Sequence, residues 1–242
     1  MKGLQQQIKT LTIMSISTTI IVIIVAVLHF SSTNNESATD YAVLDSGGVL
    51  VKTWAAWHLD KDEPLHVRII NSTLESSNQY SAINDAIMSE DHLTYENPTQ
   101  AVYYVGWNDA LGSVKGLKTK YAIPQISLSK TDNEVGDVII RLTDTKDPKY
   151  SGFTKSIIDT KNHQILKSII TIYDVKDLTD TQIEAVVRHE MGHALGLGDA
   201  EGENDLMNHV IDLKYSYITQ CDVQSIIILY NDTDSQKVHC AK

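Results

Sequence analysis

Two histidines four residues apart constrain this 242-residue chain more than any other feature. They are His189 and His193, within Arg188-His189-Glu190-Met191-Gly192-His193-Ala194-Leu195-Gly196-Leu197-Gly198-Asp199. On a helix, positions i and i+4 lie one turn apart on the same face, so both imidazoles can reach one cation. Glu190, next to the first histidine, is offset so that its carboxylate faces a water beside the metal rather than the metal itself, as a general base must. Gly196 follows His193 by three positions, where a glycine in the left-handed conformation ends a helix. The chain can then swing back so that Asp199 meets the cation from a third direction. Two imidazoles, a carboxylate and an open position form the donor set of a catalytic zinc site.

The start of this helix is equally well marked. Thr179 with Gln182 makes a capping box, and Leu178 with Ile183 a hydrophobic staple. Ile183, Val186, Val187, Ala194 and Leu197 then form an apolar stripe that buries the helix and holds the two histidines on a rigid element.

The stretch from His189 to Asp199 resembles the extended zinc motif of the metzincin peptidases, with Asp where most members carry a third His. Asp205-Leu206-Met207-Asn208 resembles their Met-turn, and Met207 stands eight residues after Asp199, the spacing of the matrixin branch. The resemblance spans roughly residues 45–231. It implies an α+β domain: a metzincin-like twisted mixed sheet packed on the zinc helix, with a closing C-terminal helix. It further implies zinc held by His189, His193 and Asp199, Glu190 as the catalytic base, and Met207 as an apolar floor beneath the metal. The activity implied is that of a zinc-dependent endopeptidase acting on peptides or proteins.

His209, two positions after Met207, stands where some metzincins place a tyrosine that contacts zinc or stabilises an oxyanion; a histidine at the rim of the site is the plainer reading. Residues 208–217, with Tyr215 and Tyr217, are expected to wall the pocket for the residue after the cleaved bond. Matrixins commonly bind structural calcium near the strands where Asp132, Glu134, Asp137, Asp144, Asp147 and Asp159 gather. From the residues alone these read as a solvated acidic face. A second functional class stays open, a metal-binding ectodomain that recognises peptides without cleaving them, although such a module has no need of Glu190.

Residues 1–10 are expected to stay cytoplasmic. Leu11 to Phe30 is a run of twenty residues without a formal charge, long enough to cross a bilayer. Lys2 and Lys9 precede it and Glu36 follows it, which places the remainder of the chain outside the membrane. A retained transmembrane anchor and a cleaved signal peptide both fit this pattern. The catalytic domain is extracytoplasmic on the first reading and secreted on the second. Residues 31–44 are small and polar and read as a linker, leaving 45–242 as one peptidase domain. The sequons at Asn35, Asn71 and Asn231 agree with an extracytoplasmic location.

With 42% hydrophobic residues the chain can bury one sizeable core, and a net charge of −11 argues against nucleic acid as a partner. Its two cysteines are Cys221 and Cys240. Outside the cell a bridge between them would clip the tail to the last helix and add about 3 kcal/mol by loop entropy, two free thiols being the alternative. Both follow the zinc helix, so neither can act as the inhibitory propeptide cysteine of animal matrixins.

Elsewhere, Leu65 to Ile70 reads as a first strand and Ser76 to Glu90 as an amphipathic helix. A second helix is expected from Asn97-Pro98 through Leu111. Val138 to Thr143, Phe153 to Asp159 and Ile165 to Tyr173 read as strands, the last two joined in an antiparallel hairpin by Thr160-Lys161-Asn162-His163. By resemblance, residues 153–158 form an exposed edge to which a peptide substrate can add as a further strand. Thr219 with Asp222 marks the start of the closing helix. Trp54, Trp57, His58 and His66 read as structural.

Overall fold

The computed structural model describes residues 55–70, 77–97, 99–159, 161–200, 205–213 and 216–231. The uncharged run at 11–30, expected to be a membrane anchor or signal peptide, the linker, Trp54, Tyr215, Cys240 and the sequons at Asn35 and Asn71 lie outside these residues. Among the described residues no helix is long and apolar enough to cross a membrane.

The elements in chain order are β1 (Pro64–Ile70), α1 (Ser77–Met88), β2 (His92–Asn97), β3 (Thr99–Tyr104), α2 (Trp107–Gly112), β4 (Gln125–Thr131), β5 (Val138–Leu142), β6 (Gly152–Asp159), β7 (Gln164–Ile172), α3 (Asp180–Ala194), β8 (Ile218–Thr219) and α4 (Gln220–Tyr230). Five strands make one mixed sheet in the order β4-β1-β5-β7-β6. The first four run parallel, and β6 pairs antiparallel with β7 at one edge.

Period-two alternation sets which face is covered. Leu65, Val67 and Ile69 of β1 are wholly buried on the core side, and burying such a side chain contributes about 1.5–3 kcal/mol. The helices α1 and α3 pack on each other, and α3 also packs on β6 and β7. The zinc-motif helix is thus seated across the end of the sheet that carries the edge strand.

The β6–β7 hairpin and the edge position of β6 match the sequence expectation. The helix expected from Asn97 to Leu111 does not form as such. In its place β2 and β3 make an antiparallel hairpin, with His92 opposite Tyr104 and Asn97 opposite Thr99, and only the short α2 is helical. Thr99, Val102, Tyr103 and Tyr104 are β-branched or aromatic residues that suit a pleated surface. A distant partner completes the override, since β3 also pairs with β8, joining Tyr103 and Tyr104 to Thr219 and Ile218. Gly106 ends the hairpin at a close approach, where a Cβ would lie 2.4 Å from the Ser89 carbonyl oxygen.

The strand β4 has no sequence signal of its own, because Gln125-Ile126-Ser127-Leu128-Ser129-Lys130-Thr131 is largely polar. It forms by parallel pairing along the whole of β1, and Lys130 lies over the Tyr80 ring of α1. The expected capping box of Thr179 with Gln182 is present on α3, and Thr219 with Asp222, expected to start α4, forms a second one.

Candidate metal centre

Helix α3 ends where the site needs it to end. Leu197 N–H donates to the Gly192 carbonyl at 3.0 Å and Gly196 N–H to that of His193 at 2.9 Å, a Schellman arrangement with Gly196 at φ +104°. Glycine is required here twice over, since a Cβ would also lie 2.2 Å from the Ala55 carbonyl oxygen. Carbonyls left over at the helix end take side-chain donors: Trp57 Nε1 donates to Ala194 and the Tyr230 hydroxyl to Leu195.

That turn delivers a carbonyl to one ligand. His193 Nδ1 donates to Leu197 O at 2.9 Å, and His189 Nδ1 donates to Leu206 O at 2.8 Å. A carbonyl oxygen only accepts, so each Nδ1 carries its proton and each Nε2 is left with a lone pair. The two Nε2 atoms face each other 3.0 Å apart. Asp199 Oδ1 lies 3.3 Å from one and 3.9 Å from the other.

Three lone-pair donors converging within 4.8 Å repel one another unless a proton or cation lies between them. Tetrahedral zinc with ligands at about 2.0–2.1 Å separates them by about 3.3–3.4 Å, which these contacts bracket. The residues therefore fit a zinc ion, and they form the one such group of three among the described residues.

Burial pushes the His189 pKa down to about 4, with the charge of His193 acting in the same direction. Burial also acts to lower that of His193, but its hydrogen bond to Asp199 and the charge of Glu190 together outweigh this and raise it. The bond from His193 in turn holds the Asp199 carboxyl below its ordinary range. Protons and a bound cation therefore compete for the same ring nitrogen of His193.

Glu190 is buried beside this group, and burial raises its pKa against the opposing charge of His193. Its Oε2 accepts the Thr154 hydroxyl of β6 at 2.7 Å. Met207 is fully buried beneath the helix, with its Sδ against Gly192. A Cβ there would lie 2.4 Å from that sulfur and 3.2 Å from Cζ2 of Trp107. Ala200 N–H donates to Met207 O at 2.6 Å, tying the segment after Asp199 to the Met207 turn. His209 is exposed, close enough for its charge to act on His189 and Asp199.

Three features escaped the sequence reading. Arg188, 1% exposed, sends Nε to Val105 O at 2.6 Å, Nη1 to Ser216 O at 3.3 Å and Nη2 to Glu184, fastening the β2–β3 hairpin and the segment before β8 to the zinc-motif helix. Trp107 Nε1 donates to Arg188 O at 2.8 Å. Asp205, whose Oδ1 accepts Met207 N–H at 2.8 Å, forms a buried carboxyl pair with Asp222 of α4. Burial raises both pKa values, that of the fully buried Asp222 well above its ordinary range, and Asp222 Oδ1 makes no hydrogen bond.

Five of the acidic residues suggested for calcium make protein contacts, and Asp144 Oδ1 is buried without a hydrogen bond. Asp144 pairs with Lys176, Glu134 with Arg141 and Asp137 with His66, while Asp147 and Asp159 accept local backbone N–H groups. Cys221 is in the disulfide-bonded form, and its sequence partner Cys240 lies outside the described residues.

A family model described as Matrixin, of the M10 peptidases, matches residues 27–231, well over half of the chain. No curated protein matches the sequence.

Two outcomes follow from the electrostatics. Zinc binding is expected to release protons and to weaken as pH falls through the raised His193 pKa, since the metal and a proton compete for that ring nitrogen. Calorimetry in buffers of different ionisation enthalpy reads this directly, and pH-independent affinity would contradict it. For the carboxyl pair, the native state holds protons that the unfolded chain gives up above about pH 4, so its contribution to stability falls as pH rises through the raised pKa. Asp205→Asn keeps the Oδ1 acceptor and supplies a permanent donor to Asp222. It is expected to raise Tm at pH 8 by the equivalent of about 1–3 kcal/mol and to flatten the decline with pH. A lower Tm at pH 8 would contradict this reading of the carboxyl pair.

Proposed function

The chain belongs to the matrixin family of zinc metallopeptidases, and from that premise we propose that it is an endopeptidase whose zinc is held by His189, His193 and Asp199 and whose general base is Glu190. The observation that carries this reading is the pair of Nε2 lone pairs 3.0 Å apart, each fixed in its tautomer by a backbone carbonyl, with Asp199 beside them. Bound there, zinc supplies a Lewis acid that polarises the scissile carbonyl and acidifies water.

The protein groups do the rest. An extended peptide pairs with the open side of β6 and so presents its backbone to the cluster. Glu190 takes the proton from the attacking water as the carbon–oxygen bond forms. It then hands that proton to the amine nitrogen as the carbon–nitrogen bond breaks, so one water is consumed and no covalent enzyme intermediate is needed. Burial favours this exchange by raising the Glu190 pKa towards that of a group able both to accept and to return a proton.

The domain works outside the membrane, tethered through residues 11–30 or released after cleavage behind them. Support comes from the uncharged run with its preceding lysines and from the oxidised state of Cys221.

Glu190→Ala is expected to lower cleavage of a diverse unfolded-peptide mixture by about 100- to 10,000-fold while keeping zinc. Chelation is expected to abolish it in the parent protein. A Glu190→Ala protein that cleaves at the parent rate would remove the base assignment, and bound zinc without cleavage in the parent would move the reading to a peptide-recognising module.

A further inference from the structure

We propose that Thr154 on the edge strand is a positioning residue for the Glu190 carboxylate, and that Gly152 leaves the space this carboxylate occupies. The proposal rests on the peptidase reading above.

Gly152 and Thr154 lie two apart on β6, so both face the core side while Phe153 and Lys155 between and beyond them are exposed. Thr154 is buried, and its hydroxyl reaches two acceptors, Glu190 Oε2 at 2.7 Å and the Glu190 backbone carbonyl at 3.0 Å. One hydroxyl proton cannot serve both at full strength. The shorter contact to a carboxylate is the stronger, because a charged acceptor strengthens the bond.

With Oε2 occupied, Oε1 is the oxygen left to take a proton, and among the described residues it accepts no hydrogen bond. Gly152 sits directly against it. A Cβ there would lie 2.8 Å from Oε1, 2.7 Å from Glu190 Cγ and 2.6 Å from Val186 Cγ1, so any larger residue would displace the carboxylate or push the strand away from α3. The two residues thus fix the rotamer of Glu190 from the strand on which the substrate aligns. The proton acceptor and the scissile bond are held by the same element.

A structural tie between β6 and α3 would use the same contacts, so the test separates the two roles. Zinc-loaded full chain is compared with Thr154→Ser, Thr154→Val and Gly152→Ala for kcat, KM, zinc retention against a chelator, Tm, and calorimetric affinity for acetohydroxamate, a metal chelator whose released proton needs a nearby carboxylate.

Thr154→Val and Gly152→Ala are expected to lower kcat by about 10- to 100-fold, with KM and zinc retention within about twofold of the parent. Both are expected to weaken acetohydroxamate by about tenfold or more, a fold-change set by loss of an oriented acceptor. Thr154→Ser, which keeps the hydroxyl, restores both readouts to within about threefold whatever its Tm. The proposal is overturned if Thr154→Val keeps kcat and hydroxamate affinity, if Ser is as impaired as Val, or if Val loses zinc. Should the parent cleave no peptide, the peptidase reading fails, and the acetohydroxamate series still decides the role of Thr154.

Discussion

Two imidazole lone pairs 3.0 Å apart are an unfavourable arrangement that the rest of the molecule is built to impose. Each histidine would relax away from the other were its Nδ1 not bound to a backbone carbonyl, and those carbonyls belong to Leu197 and Leu206, outside the helix that carries the histidines. The Schellman turn at Gly196 brings Leu197 back, and the Met207 turn brings Leu206 up from below. Met207 and Trp107 can pack so close beneath the histidines only because Gly192 has no side chain. The ligand geometry is thus a property of tertiary structure that one helical motif merely begins.

Buried polar groups carry much of that tertiary specification. Arg188 is as buried as a core leucine, and its guanidinium is satisfied by Val105 O, Ser216 O and Glu184, so removing the Glu184 carboxylate would leave a costly unpaired charge. Its contacts link the β2–β3 hairpin and the segment before β8 to the residue adjacent to His189. Buried Asp205 accepts the Met207 N–H of the Met207 turn, and buried Asp222 accepts the Thr219 N–H that caps the closing helix. Apolar packing would hold these elements together more simply, but it would not fix their register about the cluster as hydrogen bonds do.

Much of this was legible in the residues because its causes are local. The His189, Glu190 and His193 spacing, the left-handed glycine at 196, both capping boxes and the β6–β7 hairpin each depend on neighbours within a few positions. What was not legible depends on contacts far along the chain. Asn97 to Leu111 contains Ala101, Tyr104, Val105 and Leu111 near a helical period, yet β3 pairs along its whole length with β2 and its end is joined to β8, more than a hundred residues later. The polar β4 forms only because β1 offers it an edge. Thr154 and Gly152 carry no motif, and their meaning appears once the edge strand is laid across Glu190.

The most direct test of the central claim is X-ray absorption at the zinc edge on purified protein loaded with one equivalent of metal, beside a His193→Ala sample. Two imidazole nitrogens and light oxygen donors at about 2.0–2.2 Å are expected in the parent, with one imidazole lost in the variant. Sulfur donors, or an unchanged imidazole count in His193→Ala, would contradict that claim and place the metal elsewhere.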